Sequence, residues 1–202
     1  MSLCIDCGCA FCCDGTLYSH APLKEEDLPI LANRFDVLLA DRKSGDGKPE
    51  ASFKQPCRLC VNDRCSVHEE KRPAICGDYR CKLLDSHGSG KVTTEEARTL
   101  VENVKELRDR LRPKLESIAD AGCGASFLEL TLSAVSQLEK EGAAERTTQS
   151  AELLLDIAMM RILLAKNFDS RLTKHTWLAD KALQAMGDAA EPPAHSAPGP
   201  GK

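Results

Sequence analysis

Cysteine is the residue with which this sequence could do chemistry. Ten of its eleven cysteines fall between Cys4 and Cys81, and Cys123 stands apart between two glycines. The first group reads Cys4-x2-Cys7-x-Cys9-x2-Cys12-Cys13. The second reads Cys57-x2-Cys60-x4-Cys65-x2-His68, then Cys76-x4-Cys81. Two thiols spaced by two residues ride on one tight turn, which aims both sulfurs at an ion about 2.3 Å away when that ion is zinc. In Cys4-Ile5-Asp6-Cys7-Gly8 the glycine can take a positive φ and turn backbone N–H groups toward the thiolates. All-thiolate sets suit zinc, mononuclear iron or an iron–sulfur cluster and disfavour magnesium and calcium. Charge does not separate these metals. The Cys4–Gly8 turn leans to zinc, whereas the dense cysteine run with Arg72, Arg80 and Lys82 nearby favours a cluster.

Other uses of the thiols are weaker. The first ten residues carry no basic start, apolar run or cleavage site, so a cytoplasmic protein is expected and a disulfide framework is not. Thioredoxin-type chemistry needs a C-x2-C that opens a helix after a strand, and no apolar strand is read before Cys4 or Cys57. His68 lies in a charged stretch and is at most an extra ligand; His20 and His87 read as loop residues. Arg72-Pro73 sets the turn into Cys76. Gly88-Ser89-Gly90-Lys91 lacks the first glycine and the Ser/Thr of a phosphate loop. No C-x3-C-x2-C, G-x-S-x-G or H-E-x-x-H motif is present.

Cys4, Cys7, Cys12 and Cys13, followed by an acidic-capped helix, resemble the CxxCxxCC signature of the YkgJ-type cysteine-cluster family. Pro56-Cys57, Cys65-Ser66-Val67, Arg72-Pro73, Cys76 and Cys81 match that family's later run. The resemblance covers residues 1–85 and implies a zinc- or iron-chelating domain. It names Cys4, Cys7, Cys12, Cys13, Cys57, Cys65, Cys76 and Cys81 as ligands. Three departures stand out: two extra residues, Cys9 among them, before Cys12; the additional Cys60; and His68 where the family often has tyrosine. Cys9, Cys60 and His68 are then possible extra ligands. Eight thiols equal two tetrahedral sets. Neighbouring side chains on an extended backbone point to opposite sides, so Cys12 and Cys13 are expected to serve two centres or to bridge within one polynuclear cluster.

These thiols need elements to position them. The 202 residues are 42% hydrophobic and 29% charged, enough to bury a core in one medium or two small domains. Composition divides the chain near Ser86–Gly90: residues 1–88 as a cysteine-rich, loop-rich module with one or two helices, 91–186 as a bundle of three or four helices, and 187–202 as a disordered Pro/Gly tail. The fold expected is mainly α. In the first part Glu25–Asp41 reads as a helix with Leu28, Leu31, Phe35, Leu38 and Leu39 on one face, and Arg42–Ser52 as a polar loop. In the second, Thr93–Glu96 is a capping box before Ala97, Leu100, Val101, Val104, Leu107 and Leu111, and Pro113 is expected to kink or end that helix. Helices are also read at Phe127–Lys140, Ser150–Lys166 and Lys174–Met186. The Ser150–Lys166 helix is apolar around most of its girth, which predicts a central place and a dimer or partner contact.

Scarce aromatics (4%) and a net charge of −4 argue against nucleic acid, and no stretch reads as a membrane span. Three function classes remain: a metal-binding module with a helical partner surface, a metal or iron–sulfur enzyme related to protein lysine methylation or redox chemistry (to which the family resemblance extends), and a metal carrier or store.

Overall fold

The computed structural model describes residues 3–30, 39–43, 49–140 and 147–169, with side chains left aside for 31–50. The chain is mainly helical. Among the described residues, no helix is long and apolar enough to cross a membrane.

Three long helices form the apolar centre. Helix α4 (Thr94–Glu116) starts at the capping box: Thr93 Oγ1 accepts from the Glu96 N–H at 3.2 Å while Glu96 accepts from the Thr93 N–H at 2.8 Å. Its buried face is Ala97, Val101, Val104, Leu107, Leu111 and Leu115, with Leu100 packed at the margin. The helix does not end at Pro113 but runs on to Glu116. Helix α5 (Phe127–Lys140) buries Phe127, Leu130, Ala134, Val135 and Leu138. Helix α6 (Thr148–Asn167) is capped by Thr147, whose hydroxyl accepts from the Ser150 N–H. It packs on both α4 and α5 through Leu153, Leu154, Ile157, Met160 and Leu164. The helix read at Lys174–Met186 and the 187–202 tail lie outside the described residues.

The cysteine-rich part contains strands as well as helices, which its amino-acid pattern does not announce. Strand β1 (His20–Pro22) and strand β2 (Leu39–Lys43) flank β3 (Pro49–Lys54) in an antiparallel sheet of order β1-β3-β2. Of the expected Glu25–Asp41 helix, the start is present as a 3-10 turn at Glu25–Asp27 and helical residues 28–30, and residues 31–38 lie outside the described residues. Its far end, Leu39–Asp41, belongs to β2, and much of the expected Arg42–Ser52 loop is strand. Phe53 and Leu23 anchor a small second core with Leu59, Val67 and Ile75.

The main core draws on both sides of the compositional divide. Leu3, Cys7, Phe11, Leu17 and Leu83 share one buried cluster with α4, α5 and α6. Phe11 is fully buried inside the cysteine run, edge-on to Phe168 at 5.2 Å. Gly15 makes the close approach to α5: its φ is +80°, and a Cβ there would lie 2.5 Å from Ser126 Cβ. Only glycine fits that position, and the Leu128 N–H bonds its carbonyl at 3.0 Å.

Candidate metal centre

Each cysteine is placed by a short piece of local structure. Helix α1 (Leu3–Asp6) carries Cys4, and the Cys9 N–H returns to the Cys4 carbonyl at 2.8 Å. Gly8 does take a positive φ, +58°. The turn it makes nevertheless parts the two thiols of the first C-x2-C. Cys7 is buried in the main core, where Arg98 and Glu102 of α4 act on it. Cys4 acts instead on Cys9 and Cys12.

Cys12 and Cys13 occupy a helical turn, not an extended segment. The N–H groups of Cys13 and Asp14 both reach the Ala10 carbonyl, and the two sulfurs lie 3.8 Å apart, side by side. Their further neighbours differ. Cys12 is influenced by Cys9 and Cys4, and Cys9 in turn by Cys81. Cys13 instead acts on Cys57, Cys60 and Cys76. The Cys57 N–H donates to the Cys13 carbonyl at 2.7 Å, tying the two sequence groups together.

The second group hangs on a hairpin. Strands β4 (Cys60–Val61) and β5 (Arg64–Cys65) pair with Cys60 opposite Cys65. Asn62 and Asp63 close it with φ of 50° and 58°, the two positive values a two-residue hairpin turn requires. Strand β3 ends just before Cys57, so a strand does precede that C-x2-C. The chain then enters the hairpin and not a helix, and the thioredoxin arrangement is absent there. Helix α2 (Ala74–Asp78) carries Cys76; Pro73 is its N-cap, and buried Asp27 accepts from the Ala74 N–H at 2.9 Å. Arg72 donates to the Cys76 carbonyl and acts on both Cys13 and Cys76. Cys81 caps helix α3 (Lys82–Gly88), its sulfur accepting from the Leu84 N–H at 3.4 Å.

Nine of the ten clustered cysteines line one cavity of about 950 Å³, where Cys9, Cys12 and Cys81 pack against the main core and Cys57 and Cys76 against the second. Cys7 does not line it. His68 lines the same cavity, but its Nδ1 meets exposed Glu69 at 2.8 Å. His87 is helical, bonded to Thr94 Oγ1, and His20 is in β1. Cys123 is exposed beside a separate cavity of about 610 Å³. Among the described residues, no group of three or more His, Cys, Asp or Glu side chains is set to hold a metal ion in this arrangement.

Burial holds several of these thiols in their neutral form. Burial pushes Cys9 well up, and burial likewise raises Cys57 and Cys81; Cys60 and Cys76 are pushed up to about 12. Cys13 is the exception. As the acceptor of the Cys12 thiol its own value falls, while that of Cys12 rises well above the ordinary range for the same reason.

The framework behind the thiols has no counterpart in the cysteine spacing. Buried Arg108 of α4 pairs with Asp14, with Asp63 at 3.2 Å and with Asp109 at 2.7 Å, and Lys105 joins Asp63 at 2.9 Å. Asp14 follows Cys13 and Asp63 sits in the hairpin turn, so one helix fastens both cysteine groups. The Tyr18 hydroxyl meets buried Asp169 and, at 2.8 Å, the Tyr79 hydroxyl two residues before Cys81. The adjacency of acids to cysteines was the available signal for the first network. Nothing local pointed to the second.

No protein family, curated protein or solved structure matches the chain.

Proposed function

We propose that the chain is a metal-binding protein of the YkgJ-type cysteine-cluster kind, with zinc or iron held by two four-cysteine sets. The observation that carries this reading is the meeting of both sequence groups in one cavity, with the Cys12 and Cys13 sulfurs side by side, Cys9, Cys12 and Cys81 packed on the main core and Cys57 and Cys76 on the second. Cys4, Cys9, Cys12 and Cys81 would hold one centre; Cys13, Cys57, Cys65 and Cys76 would hold the other. The donor chemistry fits: half-buried thiols and few competing oxygens select a thiophilic ion. Bound metal would supply folding free energy to the loop-rich part of the chain.

The chain's own residues do the rest. Thiol protons must leave as ions enter, and side-chain rotation about Cα–Cβ brings gathered sulfurs onto a point. Arg72 offsets the charge of the Cys13 set, and the Arg108–Asp14–Asp63 network keeps the two loops in register. The exposed stripe Leu155, Met159 and Ile162 on α6 serves as a partner or dimer surface.

Metal analysis with a visible spectrum on anaerobically purified full-length protein tests the reading. Two metal equivalents per chain are expected, colourless for zinc and broadly absorbing for an iron–sulfur cluster. Protein that retains no metal, and takes up none when offered Zn²⁺ or Co²⁺, overturns it.

A further inference from the structure

We infer that the cavity beside the thiols contains, at Arg161, a binding site for a small organic carboxylate with an apolar body. Arg161 lies on α6 and is 6% exposed. Its side chain lines a cavity of about 950 Å³, within the range that holds small-molecule ligands. The Nε makes no hydrogen bond, and among the described residues no carboxylate pairs with the guanidinium. Burial alone acts on this group, weakening its hold on its proton.

Arg108 shows how the same fold treats an arginine it uses for itself. That side chain is about equally buried, yet three aspartates surround it. A buried guanidinium without a counter-charge is costly, and arginine does not escape by deprotonating. An arginine kept in that state facing a cavity is poised for an anion that arrives from outside. Its planar fork matches a carboxylate with two parallel N–H···O bonds.

The surroundings narrow the occupant. Leu128 and Leu132 of α5, together with Leu17 and Phe168, line the same cavity. Phe168 follows Arg161 by two turns, at the C-terminal end of α6. One cation among leucine and phenylalanine suits one negative charge on a hydrocarbon body better than a phosphate, which calls for more donors and more charge. Of the three other arginines of the cavity wall, Arg72 bonds the Cys76 carbonyl, Arg80 pairs with Asp85, and Arg64 lies in β5 of the cysteine hairpin, away from α6 in sequence. The site does not require the thiols to carry metal.

Titration calorimetry on the full-length protein as purified, with octanoate, octanol and inorganic phosphate as probes, tests the site. Octanoate is expected to bind one to one, at least tenfold more tightly than octanol or phosphate. Arg161→Met should lose at least tenfold in octanoate affinity, and Arg161→Lys should lose less. Without probe, Arg161→Met should melt no lower than the parent, because an unpaired charge has been replaced by an apolar chain. Any of three results overturns the proposal: no octanoate binding, octanol or phosphate binding as tight as octanoate, or unchanged affinity in Arg161→Met. If neither variant folds, Arg161 is structural and the proposal also fails.

Discussion

The sharpest consequence of the thiol arrangement is the contrast between Cys7 and Cys9. By resemblance Cys7 is a ligand and Cys9 a spare, whereas the fold turns Cys7 into the main core and places Cys9 on the cavity with Cys4, Cys12 and Cys81. Consider Cys9→Ala and Cys7→Ala, each analysed for bound metal and for thiols reactive under native conditions. On the two-centre proposal, eight cysteines of the parent hold two ions, and Cys7 is buried. Cys60 and the exposed Cys123 are then left to react. Cys9→Ala should drop to one equivalent, and its orphaned partners Cys4, Cys12 and Cys81 should join the reactive pool, raising it from two to five. Cys7→Ala should keep both equivalents and lose only packing, about 1 kcal/mol. A mild competing chelator in both samples strips any incomplete three-thiolate site, which sharpens the count. The reasoning is refuted if Cys7→Ala loses an ion while Cys9→Ala keeps two. A parent with one ion and about six reactive thiols among the ten clustered cysteines would refute the two-centre assignment itself.

The framework around the thiols carries further expected outcomes. Phe11→Ala should cost about 3–5 kcal/mol and lower a single thermal transition of the whole chain, because that ring sits in the core shared with α4 and α6; two separate transitions would contradict it. Arg108→Met strands Asp14 and Asp63 without their guanidinium and should destabilise by about 3–5 kcal/mol in denaturant titration, whereas Arg110→Met, at an exposed pair, should change little. Burial works to raise Asp63, but Lys105 and Arg108 outweigh it and hold its carboxyl below the usual range. Its contribution is therefore full above the unfolded value of about 3.9 and disappears as pH falls through the lower folded value. Acid unfolding of Asp63→Asn should be less steep in that window, and an unchanged profile would count against the pair. If the α6 stripe joins two copies, Met159→Lys should yield a monomer by sedimentation with unchanged helicity, and a parent already monomeric at high micromolar concentration removes the dimer.

The long helices were legible because their information is local. Caps and a 3.6-residue apolar period mark Phe127–Lys140 to the residue, and Thr147 extends the Ser150–Lys166 reading by a turn fragment at its start. The sheet was not legible for the converse reason. Leu38 and Leu39 continue the helical spacing of Leu28, Leu31 and Phe35, and only pairing with β3 draws Leu39–Lys43 into a strand. At the thiols, spacing suggested a chemistry but not which thiols would meet. Cys7 and Cys9 differ by two residues in one turn, yet Cys7 is buried within the main core against α4 while Cys9 packs at its margin and lines the cavity. Cys12 and Cys13 were expected to diverge through an extended backbone. They lie side by side instead, their sulfurs 3.8 Å apart, because the turn in which Ala10 collects the N–H groups of Cys13 and Asp14 is not extended.

Burial alone does not tell a structural charge from a functional one, and the two buried arginines make the distinction. Arg108 lies between the cysteine loops and α4, and every carboxylate it meets belongs to an element it fastens. Its burial is explained by the contacts it makes. Arg161 has the same chemistry and nearly the same exposure, but its Nε has no hydrogen-bond partner and, among the described residues, no carboxylate pairs with it. Leucine or methionine, both already abundant on α6, would fill a core position this apolar without the desolvation penalty of a charge. The arginine is therefore best understood through what the cavity admits, and its buried charge is offset only when an anion arrives.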